Sequence, residues 1–163
     1  MNNNQKDSQS GFTLIEILVV IGLIAILAAI VIIAINPARQ FAQGRNSQRT
    51  SNVNAILNAI GQNMADNRGI FTCAAPIDAT VRTVQEGAGA GITDLRPCLV
   101  NTYMPELPFD PSTGVNTCTD AACGAGTYDT DYTVQIVNAR TQVCAPGGVE
   151  TAIPGSTTIC VTR

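Results

Sequence analysis

The chain has 163 residues, 45% of them hydrophobic, with nine Lys and Arg against twelve Asp and Glu, and neither His nor Trp. A net charge of −3 and a pI near 4.7 argue against general nucleic-acid binding, because phosphate neutralisation needs clustered cations and only Arg39, Arg45 and Arg49 lie close together. There is no nucleophile with a recognisable base and no phosphate loop, so an enzyme is not expected. The length accommodates one apolar anchor and a single domain of roughly 100 residues.

The first element is the run SGFTLIEILVVIGLIAILAAIVIIAINP, Ser10 to Pro37. From Phe12 to Ile35 the only charge is Glu16, and a helix there is roughly 36 Å long, enough to cross a bilayer core. A carboxylate at mid-membrane costs about 2.5 to 3.5 kcal/mol, but Glu16 lies only four residues from the start of the run, where an interfacial position lowers that cost. Gly22 and Pro37 are the weak points of the helix, Pro37 because it lacks an amide donor and clashes one turn back. A secretory signal peptide has an apolar core of about 7 to 15 residues followed by a small-residue cleavage site. Here the run is longer and its small pair, Ser10-Gly11, precedes it, so a cut after Gly11 leaves the helix on the product, with Phe12 at the new amino terminus.

GFTLIEILVVIGLIAILAAI resembles the prepilin signature of type IV pilins and type II secretion pseudopilins, over the first third of the chain: Gly before the cut, Phe after it, Glu at the fifth position of the product. The resemblance implies that a membrane-embedded aspartyl prepilin peptidase cuts after Gly11 and methylates the amine of Phe12. It implies further that Glu16 of a placed subunit receives the Phe12 amine of the next, with Thr13 and Leu14 packing the contact. Physical chemistry supports a pairing of the two groups, since an α-amine sits badly at the positive end of a helix dipole and a carboxylate four residues on shares its face; by that argument alone Glu16 pairs with its own chain's amine or with a neighbouring subunit's. The leader departs from the family's usual basic character, since its single Lys6 is offset by Asp7. The partners implied are copies of the chain itself in a helical homopolymer, the prepilin peptidase, the pilus assembly platform with its ATPase, and the inner membrane before assembly.

Beyond Pro37 the pattern becomes amphipathic. Val53, Ile56, Leu57, Ile60 and Met64 form one stripe, while Asn46, Gln48, Asn52, Asn54, Asn58, Gln62 and Asn63 make a neutral polar face. Asn67 to Gly69 reads as the stop, giving one continuous helix from Phe12 to about Asn67, half inside the membrane and half outside. Next come a short extended piece at Val81 to Val84, a flexible connector through Gly87, Gly89 and Gly91, and a proline-punctuated stretch from Leu95 to Gly114 limited to a turn or two of helix. Within it, LPFDPSTG resembles a Leu-Pro-x-Asp-Pro loop of the pseudopilin and Gram-positive-like pilin branch. Strands are expected at Tyr132 to Val137, Thr141 to Ala145 and Thr157 to Thr162, with Val134/Ile136 and Ile159/Val161 alternating as half-buried positions. The fold class is α+β and pilin-like: a long N-terminal helix against a small antiparallel sheet. Its expected divisions are a leader at 1–11, a membrane and polymerisation helix at 12–36, an amphipathic helix at 37–68, and a disulfide-containing head at 69–163.

All six cysteines follow the helix, which fits an oxidising compartment. Six cysteines allow 15 connectivities; closeness in the chain pairs Cys118 with Cys123, neighbouring strands pair Cys144 with Cys160, and Cys73 and Cys98 then bridge the connector. Zinc is the competing reading, weakened by the lack of His and of any Cys-x-x-Cys. Asp120, Asp129 and Asp131 are candidate calcium ligands, against the plainer reading of solvated loop acids. The arginines after the anchor would by the positive-inside rule place the large domain in the cytoplasm; the cysteines and the resemblance place it outside, with the precursor in the cytoplasmic membrane and the product in a cell-surface filament. The expected function is a pilus subunit serving adhesion, motility or DNA uptake. The alternatives are a type II secretion pseudopilin and a bitopic binding protein that never polymerises.

Overall fold

The computed structural model describes residues 11–87, 89–120, 123 and 126–163, so most of the leader, with Lys6 and Asp7, lies outside the described residues. The chain divides into two units, residues 1–40 and 41–163. In the first, helix α1 spans Leu14–Ile35 and buries none of its residues. Thr13 starts it from an extended conformation, its hydroxyl accepting the Glu16 N–H at 3.3 Å.

The expected single helix is two helices. Asn36 adopts a left-handed conformation (φ 47°, ψ 82°), and helix α2, Pro37–Asp66, begins immediately after it. Proline disfavours a helical conformation in the residue before it and supplies no N–H to the preceding turn, yet its fixed φ suits the first position of a new helix. Asn36 then caps α2, its side-chain oxygen accepting the Arg39 N–H. Gly22, the other expected weak point, lies inside an unbroken α1. A lone glycine costs about 1 kcal/mol of helix propensity but keeps its N–H, so the hydrogen-bond ladder continues.

In the second unit α2 buries Val53, Ile56, Leu57 and Ile60 from the expected stripe, together with Ala42, Arg49, Ala59 and Asn63. Asn63, assigned from the sequence to the polar face, is instead buried because its amide pairs with both backbone groups of Thr72, donating to O at 3.2 Å and accepting from N at 2.9 Å. The helix stops through positive φ at Arg68 and Gly69, and the Gly69 N–H closes on the Met64 carbonyl at 2.7 Å.

The stripe packs on a six-stranded sheet: β1 Arg82–Gln85, β2 Ile92–Thr93, β3 Val115–Asn116, β4 Tyr128–Val137, β5 Arg140–Ala145 and β6 Ile159–Thr162. Its order is β2-β1-β4-β5-β6, with β3 beside the first residues of β4. The sheet is mixed rather than wholly antiparallel, because β2 runs parallel to β1. Positive φ at Gly87 and Gly91 lets the intervening loop fold back, and the Thr83 N–H bonds Gly91 O at 2.8 Å. Strand β4 starts four residues before its expected beginning and points Tyr128, Thr130, Tyr132 and Val134 inward. Ile136, expected to continue that alternation, is 37% exposed. The proline-rich stretch contributes a single helical turn, α3 Arg96–Leu99, whose Leu99 joins Leu95, Leu107, Tyr132 and Val143 in the core.

Three disulfides staple this unit: Cys73–Cys98, Cys118–Cys123 and Cys144–Cys160, the last joining residues directly opposite on β5 and β6. They close loops of 25, 5 and 16 residues respectively. If chain entropy dominates, opening them one at a time costs about 3.5, 2 and 3 kcal/mol in that order. Paired Cys→Ser variants of the detergent-solubilised chain, unfolded in urea, check this: the 73/98 variant is expected to be the least stable of the three and the 118/123 variant the most stable.

Candidate assembly site

Gly11, Phe12, Thr13 and Glu16 lie together at the start of α1. Phe12 is 81% exposed, and among the described residues a Cβ added at Gly11 would meet nothing within 4 Å. Thr13 and Glu16 stand three residues apart in the cap-and-third-residue relation of a capping box, which brings a carboxylate to the positive end of the helix. From Leu14 to Ile35 the mean hydropathy is 3.5, and the helix is long and apolar enough to cross a membrane. Burying it removes a large apolar surface from water, at roughly 25 cal/mol per Å².

A separate constellation in the second unit organises the loops around the first half of α2. The Arg49 guanidinium, 1% exposed, donates from Nε to Asp110 Oδ2 at 2.6 Å and from Nη2 to Asp110 Oδ1 at 3.0 Å and Ser112 Oγ at 2.6 Å. Its Nη1 donates to Glu150 Oε1 at 2.5 Å and to Asn46 Oδ1 at 2.9 Å. Arg45 grips the same Glu150 in a two-pronged pair at 2.7 and 2.6 Å. Burial opposes ionisation of Asp110, but the bonds from Arg49 and Ser112 override it and hold the carboxyl well below its ordinary range. Arg45 and then Arg49 bring Glu150 down to about 2. A second buried arginine, Arg96, pairs with Glu106, lies over the Tyr128 ring at 5.8 Å and donates to the Asp120 carbonyl, tying the Cys118–Cys123 loop to the core.

The candidate calcium ligands do not converge: among the described residues no three His, Cys, Asp or Glu side chains gather as a metal site. Asp129 accepts the Asp131 N–H at 2.9 Å, and Asp131 accepts the Thr113 hydroxyl, so both carboxylates serve the backbone and loop around them. Sequence reading missed the arginine clamp. The signal was available in Arg49, which occupies the phase of the apolar stripe four residues before Val53. Its acidic partners lie 61 and 101 residues away and carry no local mark.

Residues 6–34 match the family model described as the prokaryotic N-terminal methylation motif. This is the prepilin-type motif of type IV pilins and pseudopilins. The motif implies processing by a prepilin peptidase and assembly into pilus-like filaments, and its family is structural rather than catalytic. No curated protein and no solved structure matches the chain. With the apolar α1, the prepilin motif marks a membrane-anchored precursor.

The clamp predicts an acid profile. Asp110 and Glu150 have depressed pKa values, so their contribution is complete above the unfolded carboxylate values near 4 and is lost as pH falls toward the folded ones. With no His in the chain, thermal midpoints are expected to stay level from about pH 8 to 5 and to drop below about pH 4. Arg49→Met leaves Asp110 buried and unpaired, at a cost of about 3 to 5 kcal/mol; urea unfolding followed by circular dichroism at pH 7 is the check.

Proposed function

We propose that the chain is made as an inner-membrane precursor with residues 1–11 as leader, is cut between Gly11 and Phe12, is methylated on the Phe12 amine, and polymerises into a cell-surface pilus. The observation that carries this reading is an α1 with no buried residue, attached to the prepilin motif. Such a helix is stable only in lipid or against other apolar helices, and polymerisation exchanges the first for the second. Glu16 then receives the Phe12 amine of the incoming subunit, since an unpaired charge entering an apolar core is costly. The platform and its ATPase supply the extraction work. Adhesion, motility and DNA uptake are the roles such a filament serves.

A pseudopilin of a type II secretion system is the second reading, favoured by the LPFDPSTG loop, which the clamp holds at Asp110. Electron microscopy separates the two: a pilus subunit gives long surface filaments that vanish when the gene is deleted, whereas a pseudopilin gives none at natural expression.

Two variants test processing and assembly apart. Because no described residue crowds Gly11, Gly11→Val is expected to leave the fold alone and to report on the peptidase. Intact mass is expected to show the leader retained, and filaments containing residues 1–11 would falsify the cleavage reading. Glu16→Ala is expected to be cut normally yet to be scarce in filaments when co-expressed with the wild-type chain. Incorporation at the expressed ratio, with filament length unchanged, would make Glu16 merely interfacial.

A further inference from the structure

The second unit has unlike ends. At the near end, beside the first half of α2, the loop 109–114 and the start of β3 present Phe109 (41% exposed) and Val115 (47%), and Gly114 folds directly onto Phe109. Around this apolar tip stand three carboxylates. Asp129 is the β4 partner of Val115, Asp131 accepts the Thr113 hydroxyl, and Glu86 follows β1, its N–H bonded to Tyr128 O. Among the described residues none of the three has an ion pair, while the cations nearby, Arg45 and Arg49, are consumed by Glu150 and Asp110.

At the far end, where α2 stops, a groove of about 420 Å³ is lined by Met64, Ile70, Phe71, Ile77, Ile136 and Thr141, with Ile70 69% exposed. Next to its lining residues in the chain stand Arg68 and Arg140, both exposed and without an ion pair among the described residues. Arg163, which bonds Asn58, adds a third cation beside Thr141, against the carboxylates of Asp66 and of Asp78, the latter already paired with Arg82 at 2.7 Å. The two ends are separated along β4 by the six steps from Asp131 to Val137, about 20 Å. The same separation follows along α2 from Arg49, which holds the loop, to Met64 in the groove, about 22 Å.

We propose that the near end of one copy docks in the far-end groove of a second copy, Val115 and Phe109 entering the apolar floor while Glu86, Asp129 and Asp131 face Arg68 and Arg140. This rests on the filament reading and assigns that filament a head-to-head contact additional to the helix pairing at Glu16. A second copy is the occupant that the charges select, since each end offers the sign and the shape the other lacks. The contact is heterologous: the surface used on one copy remains free on the next, so it propagates rather than closing on itself. The charges set the register and exclude like-ended approach, and the apolar tip supplies the buried area. The Arg49 clamp is thereby a positioning device, since it fixes the loop that carries the tip.

Engineered cysteines in the full-length chain test the contact, because all six native cysteines are paired. Val115→Cys with Ile70→Cys in one chain is expected to give a covalent ladder of dimers, trimers and longer products on non-reducing gels. Either single variant should give no ladder, and Val81→Cys with Ile70→Cys should give none either. Filaments that assemble normally from the double variant but run as monomers after mild oxidation overturn the proposal. Charge exchange is the independent arm: Arg140→Glu and Glu86→Arg should each lower filament number roughly tenfold, as expected for about 1.4 kcal/mol of repulsion per contact, and their combination should restore most of it. A combination no better than the single variants counts against the contact. If the wild-type chain formed no filament the polymer reading itself would fall, and the ladder sought in membranes carrying the full chain would still decide whether these two ends meet.

Discussion

Arg49 carries the constraint on which the head depends. A guanidinium has five N–H donors in a fixed plane, and burying it without satisfying them costs several kcal/mol. Here each donor has an acceptor: two on Asp110 and one each on Ser112, Glu150 and Asn46. Much of the loop architecture follows. Asp110 must sit beside α2, so its chain turns sharply, with the Ser112 and Thr113 N–H groups folded onto the same carboxylate and the Asp110 N–H bonded to Thr130 O. The turn after β5 must also approach closely. A Cβ on Gly147 would lie 2.6 Å from Asp110 Oδ2 and 3.1 Å from Arg49 Nη2, so only glycine fits there.

The two units solve opposite solvation problems. In α1 the backbone is satisfied internally and every charged side chain but Glu16, in the first turn, is excluded, which is the solution lipid demands. In the head a modest core under a small sheet is supplemented by disulfides and buried arginine pairs, a common recourse where a single hydrophobic core is small. Asn36 and Pro37 stand where one regime gives way to the other. The left-handed residue and the proline end one helix and start the next within two residues, without an unsatisfied turn between them.

How much of this was legible depended on how local its cause was. Phe12 to Ile35 could be read because its signal is contiguous, and Val53, Ile56, Leu57 and Ile60 because a 3.6-residue period survives any tertiary context. The cysteines of the short loop and of the adjacent strands β5 and β6 stand in pairs that chain proximity already singles out. Strands β2 and β3 are held by pairing with β1 and β4, and at two residues each they are too short for the strand preference of Ile92, Thr93 and Val115 to single them out. Pro37 was identified as a disturbance, but whether a proline bends a helix or divides it depends on the residue before it, and Asn36 tolerates the left-handed conformation that division needs. In the candidate site, Gly11, Phe12 and Glu16 are neighbours and were readable together. Arg49, Asp110 and Glu150 meet only after folding; Arg49 alone carries a local mark, its place in phase with the apolar stripe, while Asp110 and Glu150 read as surface charges.

The choice of cation completes the physical account. Beyond Gly11 the sequence has eight arginines and no lysine. Arginine stays charged at any pH the protein can meet and binds carboxylates along two parallel bonds, which suits buried pairs that must hold through acid and salt. Lysine would hold less firmly and would shift its pKa when buried. Lysine's absence has a chemical consequence at the other end of the molecule. A chain that starts at Phe12 carries a single amine, its own α-amino group, so the one group that methylation and Glu16 would address has no competitor anywhere in the head.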